Sequence, residues 1–527
     1  CTLSEAMATA RSGDAEWFRA AFRTRQMSNK SSGSPACRTS ETHPLQIASV
    51  RVPDAGGLIG ITLCPGKQQA HASTGVWRRD LGLDLDAIAA WNAAAVVTLV
   101  EEHELERLGV PGLGPAVRER HMTWHHLPIR DASVPDAAFE AAWAETGAGL
   151  RAMLRDGANV LLHCKGGLGR AGTIAARLLV ELGVEPEAAA AQVRSVRPGA
   201  IETRTQLGFV MGLGPVVEPQ PERGPEAVRD RAVGALLGLC IGDAIGTTAE
   251  FKPRGSFPRL TDMVGGGPFN LEPGQWTDDS AMAVALAASL VAQRRLDPAD
   301  LMTRFAEWMD HGEYSCTGTC FDIGITVSAA LRSFKRTGNP LSGSTAPRSA
   351  GNGSLMRLAP VAIRYWQDRE QLRQAAALQS RTTHGAPEAV DACIAYAEVL
   401  ADAIAGLSRS AVLRARQESF AGAIAPIMAG AWRGKHRDEV QSSGYVAHSL
   451  EAALWCVART NSFADAVLLA ANLGGDSDTT AAITGQLAGA LYGKEGIPPR
   501  WRKRLAWSDR LESLALELTT PYGWYPE

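Results

Sequence analysis

The 527-residue sequence contains no run of about 18 apolar residues free of charge, the length a membrane-spanning helix needs. Its first residues lack the charged-then-apolar order of a secretion signal. The chain opens on Cys1, so its start is expected elsewhere, with Met27 the candidate. Cysteine is sparse: nine residues, an odd number scattered along the chain, which excludes a disulfide framework and points to a reducing compartment. Charge of one sign is lacking too. With 53 Lys+Arg against 56 Asp+Glu, the net charge is −3, which gives no electrostatic reason for nucleic-acid or membrane binding. No repeat of 20–50 residues is present, which excludes a solenoid. The expectation is a cytoplasmic protein with neither nucleic acid nor membrane as partner.

The chain does have bulk. Hydrophobic content of 45% and charged content of 21% are those of a globular protein, and the length predicts two to four domains. Small polar residues dominate 28–43, so residues 1–44 are read as a disordered tail. From 45 to 212, short apolar runs (95–100, 159–163) alternate with Ala-rich helical patterns, as in an α/β domain with a central sheet. Residues 214–226 hold four prolines, which makes 213–227 a Pro-rich linker. Beyond it the texture changes. Val233, Leu236, Leu237, Ile241, Ala244 and Ile245 recur at helical spacing, strand signals are scarce, and 228–527 reads as one all-α domain.

Two constellations carry chemistry. The first runs from His163 to Thr173, between an apolar strand and an apolar helix. Gly166, Gly167 and Gly169 let the backbone from Lys165 through Leu168 to Arg170 curl with its N–H groups inward, an anion nest at a positive helix end. That field favours the thiolate of Cys164 as nucleophile, and Arg170 can grip two phosphate oxygens. A general acid must protonate the leaving oxygen; Asp131, 33 residues upstream, is the first choice and Asp136 the second. Glu101, Glu102 and His103 are further charged candidates, equally readable as a solvated helix start.

The second constellation is a pair of acidic clusters about 200 residues apart, each leading into an apolar helix: Thr277-Asp278-Asp279 and Asp476-Ser477-Asp478-Thr479. Carboxylates and Thr hydroxyls are hard oxygen ligands suited to two Mg²⁺ or Mn²⁺ ions, and the absence of His and Cys argues against zinc. One cluster alone reads as a helix cap; two together shift the reading to metal. Gly351-Asn352-Gly353-Ser354, followed by Met356, is a small-residue loop fit to wrap a diphosphate. Asp243 and Glu250 close the first long helix at a natural site rim. His384 is readable as site or core, and Cys316-x3-Cys320 as two small apolar positions rather than a metal pair.

The stretch HCKGGLGRAGT resembles the signature of cysteine-based tyrosine and dual-specificity phosphatases. The flanking HPLQI, WRRDLGLDLDAI, VVTLVEEHEL and HHLPIRDASVP resemble the cyclin-dependent kinase inhibitor 3 group. The resemblance implies Cys164 as nucleophile, Arg170 as phosphate binder and Asp131 as general acid, with Thr173 assisting the leaving thiolate and Gln206 positioning water. The segments GLCIGDAIGTTAEF, GQWTDDSAMA, GNGSLMRLAP, RTTHG and NLGGDSDTTAAITGQLAGALYG resemble the ADP-ribosylglycohydrolase family, whose prototype reactivates dinitrogenase reductase. That resemblance implies two Mg²⁺ or Mn²⁺ ions on Thr277, Asp278, Asp279, Asp476, Asp478 and Thr479. Glu250 would act as acid/base or gate. Asp322, Gly351, Asn352, Gly353, Ser354, Met356 and His384, with Tyr314 and Phe321, would line an ADP-ribose pocket.

The expected substrates are an ADP-ribosylated protein or ADP-ribose-derived small molecule, and a phosphomonoester. Three readings stand: a bifunctional hydrolase, a phosphoprotein phosphatase merely co-regulated with an ADP-ribose hydrolase, or a hydrolase in which one domain only binds.

Overall fold

The computed structural model describes residues 37–53, 56–72 and 75–520; the tail expected for 1–36 lies outside the described residues. The first domain is α/β. Strands β1 (Ala48–Arg51), β2 (Leu58–Leu63), β5 (Ala93–Thr98), β6 (Thr123–His126) and β7 (Asn159–Cys164) form a sheet in the order β1-β2-β7-β5-β6. All neighbours are parallel except β1 against β2. β3 (Gln68–Ala72) and β4 (Gly75–Arg78) make a separate hairpin. The central strands β5 and β7 are buried along almost their whole length, so they read as apolar runs rather than alternating ones. Helices α1 (Leu81–Ala90), α2 (Glu102–Arg107), α3 (Leu113–Arg118), α4 (Ala137–Arg155), α5 (Gly169–Glu181), α6 (Pro186–Val196) and α7 (Arg204–Met211) complete this domain.

Residues 38–44, assigned above to the tail, pair with the hairpin. Arg38 N donates to Val76 O (2.9 Å), Arg78 N to Arg38 O (3.0 Å), and Arg79 Nη1 to His43 O (2.8 Å). The Pro-rich segment is fastened at both ends. Glu218 pairs with Arg151 (2.6 Å) and Arg155 (3.2 Å), and Arg223 Nε donates to Gly406 O (3.2 Å).

The second domain is helical: α8 (Pro225–Gly246), α9 (Asp278–Gln293), α10 (Pro298–His311), α11 (Ile325–Thr337), α12 (Ala359–Tyr365), α13 (Arg369–Thr383), α14 (Pro387–Ile404), α15 (Arg409–Val412), α16 (Ile424–Met428), α17 (Val446–Ala458), α18 (Phe463–Ala471), α19 (Ser477–Tyr492), α20 (Pro499–Arg504) and α21 (Ser508–Leu518). The stretch Pro225–Ala249 is long and apolar enough to cross a membrane by length and composition, yet it is almost wholly buried as the central core helix. Its partner is α19, which runs antiparallel to it. Gly234, Gly238, Gly242 and Gly246 form a four-residue stripe facing Gly489, Gly485, Ala481 and Ser477, so that a Cβ at any of the four would collide with a carbonyl oxygen of α19. Only backbone-to-backbone packing fits there. This crossing carries the acidic residues at the end of α8 to the start of α19.

The domains meet through polar contacts. Arg409 Nε pairs with Asp156 Oδ2 (2.9 Å), Arg459 donates to Asn92 Oδ1 and Ala93 O (2.9 Å each), and His436 Nε2 lies 3.0 Å from Ala89 O.

Candidate active sites

The loop 164–170 joins the carboxyl end of the central strand β7 to α5, flanked by β2 and β5, the crevice where α/β sheets hold ligands. Gly167 adopts φ +69°, and a Cβ there would strike the Thr62 backbone, so only glycine can turn the loop toward the sheet. Arg197 clamps the turn from outside, donating to Gly167 O (2.9 Å) and Gly166 O (3.0 Å). Cys164 and Arg170 are both buried, and Arg170 is fixed by Glu104 (2.5 and 3.0 Å) and Ile129 O (2.9 Å).

The acid that reaches Arg170 is Glu104, not the neighbouring Glu101, Glu102 or His103 that the sequence offers. The helix start there does not point its first acids inward; Glu101 caps α2, and the third residue of the turn, Glu104, reaches back to Glu101 N (3.0 Å) and to Arg170. Burial raises the Glu104 pKa, but the Arg170 guanidinium outweighs it and holds the carboxyl below its usual range.

Asp131 is 64% exposed and lies 3.1 Å from Arg170 Nη2, while Asp136 is the N-cap of α4, accepting from Phe139 N (2.9 Å). Of the two, Asp131 is thus at the loop. Thr173 Oγ1 donates to Gly169 O (2.8 Å) inside α5, so its proton is committed to the helix. Gln206 is buried, donating to Ser133 O (3.1 Å), and its amide lies about where a Cβ on Gly169 would touch it. A cavity of 630 Å³ opens above the loop, lined by Cys164, Lys165, Gly166, Leu168, Arg170 and Lys67 among others. Lys67, unnoticed in the sequence, is lowered to about 8 by burial and by nearby cations, which outweigh the thiols beside it.

In the second domain the two clusters converge. Carboxylate oxygens of Asp243, Asp279 and Asp478 lie within 4.8 Å of one another, as do those of Glu250, Asp476 and Asp478. Asp243 organises the start of α9, accepting from Thr277 N (2.9 Å), Thr277 Oγ1 (2.9 Å), Ser280 N (3.0 Å) and Ser280 Oγ (2.6 Å). Glu250 does the same for α19, accepting from Ser477 N (2.8 Å) and Asp478 N (3.1 Å). Asp243 was read only as rim; its place inside the cluster depends on the α8–α19 crossing, which sequence spacing does not reveal.

Thr479 Oγ1 lies 3.3 Å from Asp279 Oδ2, and Thr277 Oγ1 lies 3.4 Å from both Asp279 Oδ2 and Asp478 Oδ2. Burial and mutual repulsion push these acids upward: Asp243 and Asp476 to about 7, Asp322 to about 9, Glu250 to about 12, and Asp278 and Asp279 well above the carboxylate range. Asp279 Oδ1 is buried without a hydrogen-bond partner. A buried cluster of hard oxygen donors with one orphaned carboxylate oxygen can hold a metal ion.

The expected pocket residues divide. Asn352 Nδ2 donates to Asp476 Oδ2 (2.6 Å) and Ser449 Oγ (2.8 Å), which ties the small-residue loop to the acidic cluster. His384 is buried against that loop: a Cβ on Gly353 would lie 2.7 Å from its Cε1, and one on Gly351 3.1 Å from its Nε2. Burial and Arg357 lower its pKa to about 3, so the ring is neutral. Arg357, absent from the sequence reading, braces the loop from below through Gly353 O (3.1 Å) and Gln379 Oε1 (3.0 Å).

Ser354 points away, its hydroxyl 2.9 Å from Ser380 Oγ in the core, and Met356 is buried. Asp322 sits at φ +59°, and the carboxylates of the cluster act on it directly. Phe321 packs on Phe269 at 5.1 Å, and Tyr314 OH accepts from Arg304 Nη1 (2.8 Å). Cys316 Sγ accepts from Trp276 N (3.4 Å), which steadies the approach to Thr277 rather than a metal.

Residues 224–527 match the family model described as ADP-ribosylglycohydrolase, and 72–210 match that of a Swiss Army Knife protein, DSP-PTPase phosphatase domain. The chain is 47% identical over 294 residues to an ADP-ribosylarginine hydrolase, Tri1, of Pseudomonas putida strain GB-1, covering 56% of this chain and 79% of that one. It is 35% identical to an ADP-ribosyl-[dinitrogen reductase] glycohydrolase of Rhodospirillum rubrum, covering 54% and 92%. A solved structure titled ADP-ribosylglycohydrolase-related protein complex superposes with a TM-score of 0.50 at 40% identity, covering 56% of this chain and 98% of its own.

Proposed function

Since this chain belongs to the ADP-ribosylglycohydrolase family, we propose that it is a bifunctional hydrolase: a metal-dependent ADP-ribosylglycohydrolase preceded by a cysteine phosphatase. The observation that carries the first activity is the joining of two acidic clusters, 200 residues apart in sequence, around one buried point. Asp278, Asp279, Asp476 and Asp478, with Thr277 and Thr479 and joined by Asp243, would hold two Mg²⁺ or Mn²⁺ ions. Such ions supply positive charge for the ribose hydroxyls and lower the pKa of water.

The protein's own part is orientation and charge. Asn352 fixes Asp476, and the 351–353 backbone stands ready for a diphosphate beside the neutral His384. Glu250, held beside the cluster by Ser477 N and Asp478 N, serves as the acid/base or gate at the glycosidic bond. The surrounding carboxylates stabilise the positive charge that develops at the ribose C1″. That the Pseudomonas relative is an ADP-ribosylarginine hydrolase favours ADP-ribosyl-arginine over the serine linkage.

In the first domain, the Cys164 thiolate attacks phosphorus and forms a thiophosphate as the P–O bond breaks. Asp131, in its acid form, protonates the leaving oxygen. Its carboxylate then takes a proton from the water that attacks the thiophosphate, with Gln206 orienting that water, and phosphate and thiolate are released. Arg170 neutralises the phosphoryl oxygens throughout, and the phosphate replaces Asp131 on its free face. The match of 72–210 to a DSP-PTPase phosphatase domain supports a phosphomonoester as the substrate class.

The test is hydrolysis of ADP-ribosyl-arginine and ADP-ribosyl-serine peptides with Mg²⁺, Mn²⁺ or EDTA. ADP-ribose released from the arginine linkage with either metal and not with EDTA supports the reading; release undiminished by EDTA refutes metal dependence.

A further inference from the structure

Where the domains meet, a cavity of 270 Å³ is lined by Arg118, His121, Trp124 and His125 of the first domain and by Arg259 and Arg459 of the second. It shares no lining residue with the phosphate-loop cavity or with the acidic cluster. Its charge is one-sided. Three guanidinium groups face it against a single carboxylate, Asp465, which is exposed and occupied with Ser462 Oγ (2.8 Å).

Two of the three cations are held in place. Arg459 is anchored across the junction by Asn92 Oδ1 and Ala93 O, and Arg118 stacks on the Trp124 ring at 5.0 Å. Arg259 has no hydrogen-bond or ion-pair partner among the described residues, and its Nε is buried. His125 Nε2 is likewise buried and unpartnered. His121 adds no charge: burial, with Arg437, Arg259 and Arg254 nearby, lowers its pKa to about 3. Arg259 Nε, a buried donor without an acceptor, stands beside surplus positive charge, and His125 Nε2 donates there in one tautomer of the neutral ring; together they describe an anion site.

We propose that this junction cavity binds a small phosphate-bearing anion, gripped by Arg259 and Arg118 with His125 donating and Arg459 behind. Guanidinium groups from both sides match the several oxygens of a phosphate, and a carboxylate would leave part of that donor set unused. The ligand is either free inorganic phosphate or the phosphoryl end of a sugar phosphate. By contacting both domains it bridges them. This inference is independent of the activity assigned to either catalytic site.

The experiment uses full-length Cys164→Asp, whose added carboxylate repels phosphate from the catalytic loop, stripped of metal with EDTA. Inorganic phosphate and ribose 5-phosphate are titrated calorimetrically. One site per chain is expected, weakened at least tenfold by Arg259→Gln and partly restored by Arg259→Lys. In the otherwise native chain, Arg259→Gln should leave aryl phosphate and ADP-ribosyl-arginine cleavage unchanged, which also certifies its folding. Equal affinity for the two probes identifies phosphate itself as the ligand, and tighter binding of ribose 5-phosphate identifies a sugar phosphate. Absence of binding by both, or binding indifferent to Arg259→Gln, overturns the proposal.

Discussion

At the scale of single residues, the account assigns distinct work to groups that look alike in sequence. Glu104 holds Arg170, so Glu104→Gln should lower kcat/KM for an aryl phosphate by about 10- to 100-fold through loss of a buried charge-assisted pair. The same contact sets an acid limb. A carboxyl depressed by its partner stabilises the fold fully above the ordinary glutamate range, about pH 4, and loses that contribution as pH falls through its lower folded value. Glu104→Gln, which lacks this contribution, should therefore acid-unfold with a midpoint at higher pH than wild type when followed by tryptophan fluorescence, the two stabilities converging below the folded value of Glu104. Identical acid midpoints for the two proteins would refute the assignment. Arg197→Ala should free the carbonyls of Gly166 and Gly167 and raise KM for the same substrate, with the fold retained by circular dichroism.

At the scale of elements, the α8–α19 crossing does for the acidic centre what the strand-to-helix turn does for the thiol. A methyl group at Gly242 would meet the Ala481 backbone, so Gly242→Ala should cost about 3 kcal/mol, the scale of a severe overpacking, and lower the melting temperature of the helical domain. Gly112→Ala, where a Cβ would find open space, is the control and should leave it unchanged. Much of the two sites was legible in sequence because each is local: a nest of glycines between cysteine and arginine, and acids leading into an apolar helix. The residues that went unread act across space. Glu104, Lys67 and Arg357 reach their partners from other elements, and Asp243 enters the cluster only because a glycine stripe brings two helices into backbone contact. Ser354 divides in the same way: its backbone belongs to the small-residue loop, while its hydroxyl turns to Ser380 in the core.

At the scale of the whole molecule, the two domains are fastened by buried polar pairs rather than by an apolar face. Asp156 is buried and Arg409 largely so in their pair, and burial raises the Asp156 pKa even though Arg409 opposes it. Removing one partner of a buried pair leaves the other uncompensated, at a cost of about 3 kcal/mol. Asp156→Ala should therefore split one calorimetric unfolding transition into two, while both hydrolytic activities persist at low temperature. A single unsplit transition at the native temperature would show that the pair does not couple the domains.

The central claim is that one chain carries two hydrolytic sites, each complete in its own domain. The most direct measurement assays wild type, Cys164→Ser and Asp478→Asn side by side for release of phosphate from an aryl phosphate and of ADP-ribose from ADP-ribosyl-arginine, with Mg²⁺ and with EDTA. The account predicts a clean crossing. Cys164→Ser should lose phosphate release by about 1,000-fold or more and keep ADP-ribose release, and Asp478→Asn the reverse, with EDTA acting like Asp478→Asn. Loss of both activities in either variant would contradict it.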